Sequence, residues 1–244
     1  MNDISVILNV YNRPENLEEQ IKSILDQSVE IKPENIHIWY NKSDKKQSLP
    51  INDKINTYGC NWNTKFFGRF TVPLLCKTKY IAMFDDDIYP QKNWFKNCLE
   101  SMDKQEGIYG GSGVTLKQKD YRSGYKTGWN GIRSGNINRV DLVGHAWFFK
   151  QEWSKYLWYE KLPSWDNGED IMFSYLAQKY GSINTYVPPH PNSDLSLWST
   201  DFNYSMKHGN DENASFKKND HYYLRNQICI HAVNNGWNTV NRVK

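Results

Sequence analysis

No C-x-x-C pair occurs in this chain: Cys60, Cys76, Cys98 and Cys229 stand far apart, which argues against a zinc site and a disulfide framework. No apolar run approaches the roughly 18 residues of a membrane span. The first residues lack the basic and apolar regions of a secretory signal, so no transmembrane segment and a cytoplasmic setting are expected. Charge of one sign is equally scarce. Lys and Arg number 30 against 27 Asp and Glu, a net +3. The one compact basic stretch, Lys42-Ser43-Asp44-Lys45-Lys46, is broken by an acid, so nucleic acid is not an expected partner. A Gly-rich loop after the first strand is also missing, since NVYNRPEN contains no glycine.

What the chain has in quantity is aromatic residues, 15% of the total with ten Trp and sixteen Tyr. These can fill a core, and flat rings with a polar edge also suit the faces of sugars. With 244 residues, 39% of them hydrophobic, the chain is long enough for a sizeable core.

Ile4–Val10 is a mostly apolar run, as expected of a strand buried on both faces. Asn12, three residues before Glu15 and followed by Pro14, marks a capped helix start. Leu17, Ile21, Ile24 and Leu25 then keep helical spacing, and a second short strand follows at 35–40. Strand, helix and strand so close together indicate a right-handed βαβ unit in a parallel sheet. Residues 41–62 are polar and without period. Apolar spacing predicts a helix near 66–77, interrupted by Pro73, then a strand at 80–84 and a helix from Trp94. Strands near 108–116, 140–149 and 183–187, with helices near 151–159, 169–180 and 221–235, complete the pattern. Residues 203–220, poor in large apolar side chains, read as a mobile loop.

Chemistry concentrates at two places. In IAMFDDDIYP an apolar strand delivers Asp85, Asp86 and Asp87 at its carboxyl end, where open α/β sheets bind ligands. Asp85 and Asp87 fall on one side of the strand and repel unless a cation lies between them. Oxygen ligands of this kind suit Mg2+ or Mn2+. In WDNGED a Gly-containing turn leads to Glu169 and Asp170 in the first turn of a helix. One of these acids could accept a proton from a hydroxyl. Each feature also has a plain explanation: an acidic turn, and acids that favour a helix N-terminus.

Taken together, four stretches resemble GT-A glycosyltransferases of the family-2-like kind, with some similarity to exostosin-like transferases. ISVILNVYNRPENLEEQIKSIL is similar to their opening strand and helix, and FFGRFTVPLLCKTKYIAMFDDD to the lead-in and DxD motif. VDLVGHAWFFKQEW is similar to the acceptor-side strand, and GED to the later acidic motif. The pieces occur in the family's order over about residues 4–190.

The resemblance implies a Rossmann-like α/β GT-A fold with a mostly parallel central sheet flanked by helices. It implies a single domain over 1–244, with a nucleotide-sugar half to about 105 and an acceptor half beyond. It implies an enzyme moving a sugar from a nucleotide-diphosphate donor, a UDP-sugar favoured, to a hydroxyl of a glycan, glycolipid or glycoprotein.

By the same resemblance Asn9, Tyr11, Arg13, Asn41, Arg69, Asp85 and Asp86 would contact the donor. Asp87 and Asp85 would hold Mn2+ or Mg2+, with His190 as a further ligand and Asp194 and His208 behind it. Asp170 would be the general base of an inverting transfer, with Glu169 beside it on the acceptor. His208 or Arg225 would reach the diphosphate. A retaining exostosin-like transferase, a nucleotidyltransferase and a non-catalytic carbohydrate-binding module are the alternatives.

Overall fold

The computed structural model describes residues 3–44, 52–212 and 214–241. Lys45 and Lys46 of the basic stretch, and Asn213, lie outside them. The first strand, β1 (Ile4–Val10), leads through a 3-10 turn into α1 (Leu17–Leu25) and then β2 (Ile36–Tyr40) and β3 (Asn56–Gly59). After a 3-10 segment at Gly68–Leu75 come β4 (Tyr80–Phe84), α2 (Trp94–Lys104), β5 (Ile108–Lys117) and β6 (Asp120–Gly128). The remainder comprises β7 (Asn138–Val140), β8 (Leu142–Lys150), a 3-10 segment at Gln151–Trp158, α3 (Glu169–Gly181), β9 (Thr185–Val187), α4 (Phe202–Gly209) and α5 (His221–Asn234).

The nine strands of the described residues join one sheet in the order β3-β2-β1-β4-β8-β5-β9-β7, with β6 paired to β5. Strands β1 to β4 run parallel to one another. The β5 and β9 strands keep that direction, and β6, β7 and β8 oppose it. This is the mixed, mostly parallel sheet flanked by helices that the strand-helix alternation predicts. Strands β1, β2 and β4 are apolar on both faces because helical layers cover both. On the second half, α3 buries every residue from Glu169 to Ala177. Such a helix needs cover all round, and Phe173 meets Phe70 and Phe149 edge-on at 5.6 and 5.0 Å.

Several elements depart from the sequence reading. Asn12 does not cap a helix; its Oδ1 accepts from the Ser43 hydroxyl at 2.6 Å. The polar stretch after β2 contributes the edge strand β3, alternately half-buried and exposed. Pro73 tightens its segment into a 3-10 helix, and the hairpin strand β6 was not foreseen. The segment after residue 200 is not a featureless loop. Asp201 caps α4 by accepting from the Tyr204 amide at 2.8 Å, and Ser205 Oγ donates to the Asp87 carbonyl at 2.6 Å.

A bulge interrupts β8 on the side that pairs with β5. Gly110 pairs with Trp147 and Ser112 with Gly144, so Gly111 alone faces both His145 and Ala146. His145 takes a left-handed backbone, φ 66°, which costs an L-residue about 1 kcal/mol or more. Bulges of this kind re-aim a side chain out of the sheet's alternation.

Candidate functional site

The acid triplet leaves β4 at the carboxyl ends of the parallel strands. Its turn is held from below by α1. Gln20 donates to the Asp85 and Ile88 carbonyls at 2.7 and 2.8 Å, and Asn16 donates to the Asp86 carbonyl at 2.9 Å. Both amides are buried, Gln20 on the apolar stripe of that helix and Asn16 in the 3-10 turn before it. A polar residue on such a stripe was the available signal.

The bulged His145 stands next to the triplet. The Asp85 amide donates to the His145 carbonyl at 2.9 Å, and His145 Nδ1 lies 3.5 Å from Asp85 Oδ2. One donor atom from each of Asp85, Asp87 and His145 lies within 4.8 Å of the others. Asp87 Oδ1 is buried without a hydrogen-bond partner among the described residues, a costly position for a carboxylate oxygen unless a cation or proton meets it. Two carboxylates and an imidazole form a donor set that suits Mn2+, so the residues fit a divalent cation. Burial, reinforced by Asp86 and Asp85 and opposed by Arg13, pushes the Asp87 carboxyl up to about 8. Burial lowers the pKa of His145 against the pull of Asp85 and Asp170, which favours the neutral, ligating imidazole.

His190 does not join this cluster. It is 1% exposed, packed between Trp94 and Trp198. Its Nδ1 is 2.8 Å from the Pro188 carbonyl and its Nε2 3.2 Å from Ser199 Oγ. Burial lowers its pKa to about 4. Both nitrogens already serve the core, and His145 stands where His190 was expected. Asp194 caps a short turn by accepting from Ser196, and His208 stacks on Tyr204 at 4.2 Å.

Two arginines bind the acids together. Arg13 Nη1 lies 2.7 Å from Asp86 Oδ1 and 3.6 Å from Asp87 Oδ2, while its Nη2 reaches Asp211 at 2.6 Å. The end of α4 thereby closes on the triplet. A Cβ at Gly209 would lie 2.2 Å from Asp87 Oδ2, so a larger residue here would displace the Asp87 carboxylate. Arg69, 3% exposed, bridges Asp85 and Glu169, with 3.3 Å from Nη2 to Oε1. Its guanidinium lies 4.8 Å over the Trp147 ring. One buried cation therefore joins the strand-end acids to the first turn of α3.

Gly168, φ 89°, turns the chain into α3, a conformation glycine adopts without penalty. Asp170 Oδ1 accepts from the Ile171 amide at 2.8 Å, and Oδ2 pairs with Arg225 Nη2 at 2.5 Å. Arg225 also donates to Asn167 Oδ1 at 2.8 Å and lies 4.1 Å over the Tyr121 ring. It therefore holds α3's acid rather than reaching into the triplet. Burial, with Asp170 adding like charge, pushes Glu169 up to about 7.

Tyr11 and Asn41 meet through Asn63. Asn63 Nδ2 donates to the Tyr11 hydroxyl at 3.0 Å, and Asn41 Nδ2 donates to Asn63 Oδ1 at 2.9 Å. Asn9 lies in β1 in register with Trp39.

A mixed α/β sheet with acids at its parallel carboxyl edge, facing a buried acidic helix start, has the GT-A architecture. The chain belongs to glycosyl transferase family 2, whose model matches residues 5–158. That match covers β4 and β8 and ends before the acids of α3. No curated protein matches significantly. Among solved structures, the chain is similar to mannosyltransferase PcManGT from Pyrobaculum calidifontis, in complex with GDP-Man and Mn2+. The TM-score is 0.57 at 13% identity, over 96% of this chain and 65% of that one. It is also similar to S. aureus TarS, with TM-score 0.51 at 17% identity, over 77% of this chain and 36% of that one. The chain thus spans about a third of TarS and just under two thirds of PcManGT.

Proposed function

We propose that this chain is a metal-dependent glycosyltransferase that moves a sugar from a nucleoside-diphosphate sugar, UDP-sugar favoured, to an acceptor hydroxyl with inversion. The observation that carries the reading is the pairing of a cation-ready cluster, Asp85, Asp87 and His145, with the acidic start of α3 through Arg69. A nucleotidyltransferase would share the first half of that pairing but has no need of the second.

In this reading the half to about residue 105 takes the donor and the remainder takes the acceptor, in a cytoplasmic setting. Asp85, Asp87 and His145 would hold Mn2+ or Mg2+, which when bound supplies positive charge against the departing diphosphate. Tyr11, Asn41 and the first loop frame the nucleotide. Arg13 and Arg69 hold the acids in register and add positive charge on the donor side. Asp170 accepts the acceptor's proton. As that O–H bond breaks, oxygen bonds to the anomeric carbon, and the bond from that carbon to the phosphate oxygen breaks with its electron pair leaving on the diphosphate. Each carboxylate oxygen of Asp170 has a lone pair beyond its present hydrogen bond, so proton transfer does not require breaking the Arg225 pair. Attack from the face opposite the leaving group inverts the anomeric centre.

The test is a thermal-shift screen of UDP, GDP, dTDP and CMP with and without Mn2+. A ligand that binds only the native state raises the melting temperature. A nucleoside diphosphate should stabilise the protein only with the cation present; no shift from any pair sinks the reading.

A further inference from the structure

Of the ten tryptophans, Trp62 and Trp165 are the largely exposed ones, at 56% and 49%. They are neighbours, their ring centroids 6.5 Å apart. Isolated exposed apolar residues need no explanation, but adjacent indoles at a site's edge mark contact with something. Both rings are braced. Phe67, fully buried, stands edge-on to Trp165 at 5.1 Å. The loop that carries Trp62 is fixed by Asn41, whose Oδ1 accepts from the Thr64 amide and hydroxyl and whose Nδ2 donates to the Lys65 carbonyl.

A cleft begins at Asp166, the residue after Trp165. Lys65, Asp166, Lys218 and Asp220 line it, with the buried Asn167 and His221. Lys65 and Asp166 are themselves paired at 3.5 Å. Asp166 follows Trp165 in the chain, and Trp62 and Lys65 meet them from the donor half, so this surface lies at the seam of the two halves. Asn167 Nδ2 is 3.1 Å from His221 Nδ1, and Asn167 Oδ1 accepts from the same Arg225 that holds Asp170. Two hydrogen bonds therefore lead from the cleft to the carboxylate assigned as base.

We propose that this surface is the acceptor subsite and that its occupant is a neutral sugar. Its apolar ring face lies on the indoles of Trp165 and Trp62, and its hydroxyls enter the cleft toward Asp170. The inference rests on the glycosyltransferase reading and names the acceptor class for it.

The charges of the cleft decide the class. Two lysines face two aspartates, and burial and nearby Arg225 bring His221 down to about 4, uncharged at neutral pH. Phosphate-bearing acceptors call for unbalanced, fork-like cations; Arg13 and Arg69 lie on the donor side, and Arg225, the buried arginine behind the cleft, is already paired with Asp170. A rigid indole presents a large apolar face at little entropic cost. Paired Asp, Lys, Asn and His side chains beside it supply the alternating donors and acceptors that hydroxyls need. A sugar has both surfaces.

The experiment is ligand-observed saturation-transfer NMR on the full chain with Mn2+ and UDP, using cellobiose, maltose and N,N'-diacetylchitobiose as probes and glycerol phosphate as the anionic control. At least one disaccharide should receive saturation on its ring protons. Trp165→Ala and Trp62→Ala should each weaken that binding about tenfold, and Trp165→Phe should restore part of it. Both rings are half-exposed, so melting temperatures should stay near the parent's. The nucleotide-and-Mn2+ thermal shift should also be unchanged, which separates this claim from the donor reading. The inference is overturned if no disaccharide binds, if the Trp62→Ala/Trp165→Ala double variant binds as well as the parent, or if glycerol phosphate binds more tightly than every sugar. Loss of the nucleotide shift in the parent would count against the enzyme assignment instead.

Discussion

Asp170 and Glu169 are adjacent in sequence, yet their surroundings assign them different work. Asp170 is fastened at both oxygens, by Arg225 and by its own helix, while Glu169 leans on Arg69 and keeps Oε2 buried without a partner among the described residues. Asp170→Asn keeps the shape but cannot take the proton, so transfer should fall about a hundred- to ten-thousandfold. Nucleotide and Mn2+ binding should survive, as separate binding and turnover measurements would show. Glu169→Gln should cost less in turnover. Gly144 gives a second probe of the same place. A methyl there would sit 3.5 Å from Asp170 Oδ2, in ordinary contact. Gly144→Ala should therefore fold normally but crowd an incoming hydroxyl, raising KM for the acceptor while donor hydrolysis holds.

Among the elements, the bulged strand and the short helix α4 were the least legible beforehand. The alternation of VDLVGHAWFF reads as an unbroken strand, and no local signal shows that one residue faces two across the ladder. The sequence alone therefore points to His190 in VPPHPNSD rather than to His145. His145→Ala should weaken Mn2+ binding in calorimetry by about tenfold or more, while the left-handed backbone stays strained because alanine keeps the Cβ. His190→Ala should instead lower the melting temperature, by the cost of a core cavity and lost hydrogen bonds, and leave Mn2+ affinity unchanged. The reverse pattern would restore the original assignment. In α4 the apolar content is low, and what holds it is capping by Asp201, Ser205 on the triplet's turn and the Arg13–Asp211 pair. These are contacts between distant residues, invisible to a window of sequence. Amide exchange over 202–209 should slow when nucleoside diphosphate and Mn2+ bind; unchanged exchange would mean this helix takes no part. By contrast β1, β2, β4, α2 and α3 follow directly from runs of buried apolar residues, because such runs are decided locally.

For the molecule as a whole, the buried acids set a pH dependence. The Asp87 carboxyl, raised to about 8, and Glu169, raised to about 7, lose protons more readily when unfolded than when folded. Their contribution to stability is thus full below the ordinary carboxylate range and declines as pH rises toward 8. A cation must displace the proton on Asp87, so Mn2+ affinity should climb with pH, by up to about tenfold per unit, and level off above about 8. Calorimetry in buffers of different ionisation enthalpy should show proton uptake by the buffer below that point. A flat profile from pH 6 to 8 would show that Asp87 is already ionised in the free protein.

The adjacency of β4 and β8 has a consequence for how the chain acquires this property. Asp85 and His145 are neighbours across a ladder, but about sixty residues of chain, including α2, β5 and β6, lie between them. Closing such a loop costs entropy before any pairing offsets it, and non-local pairing of this kind is slow. A refolding chain must therefore close two long-range pairings, β1 with β4 and β4 with β8, before it can grip a cation. Tight Mn2+ binding should arrive with the last, slowest phase, which makes the metal a reporter of completed topology as well as a reagent of the finished site.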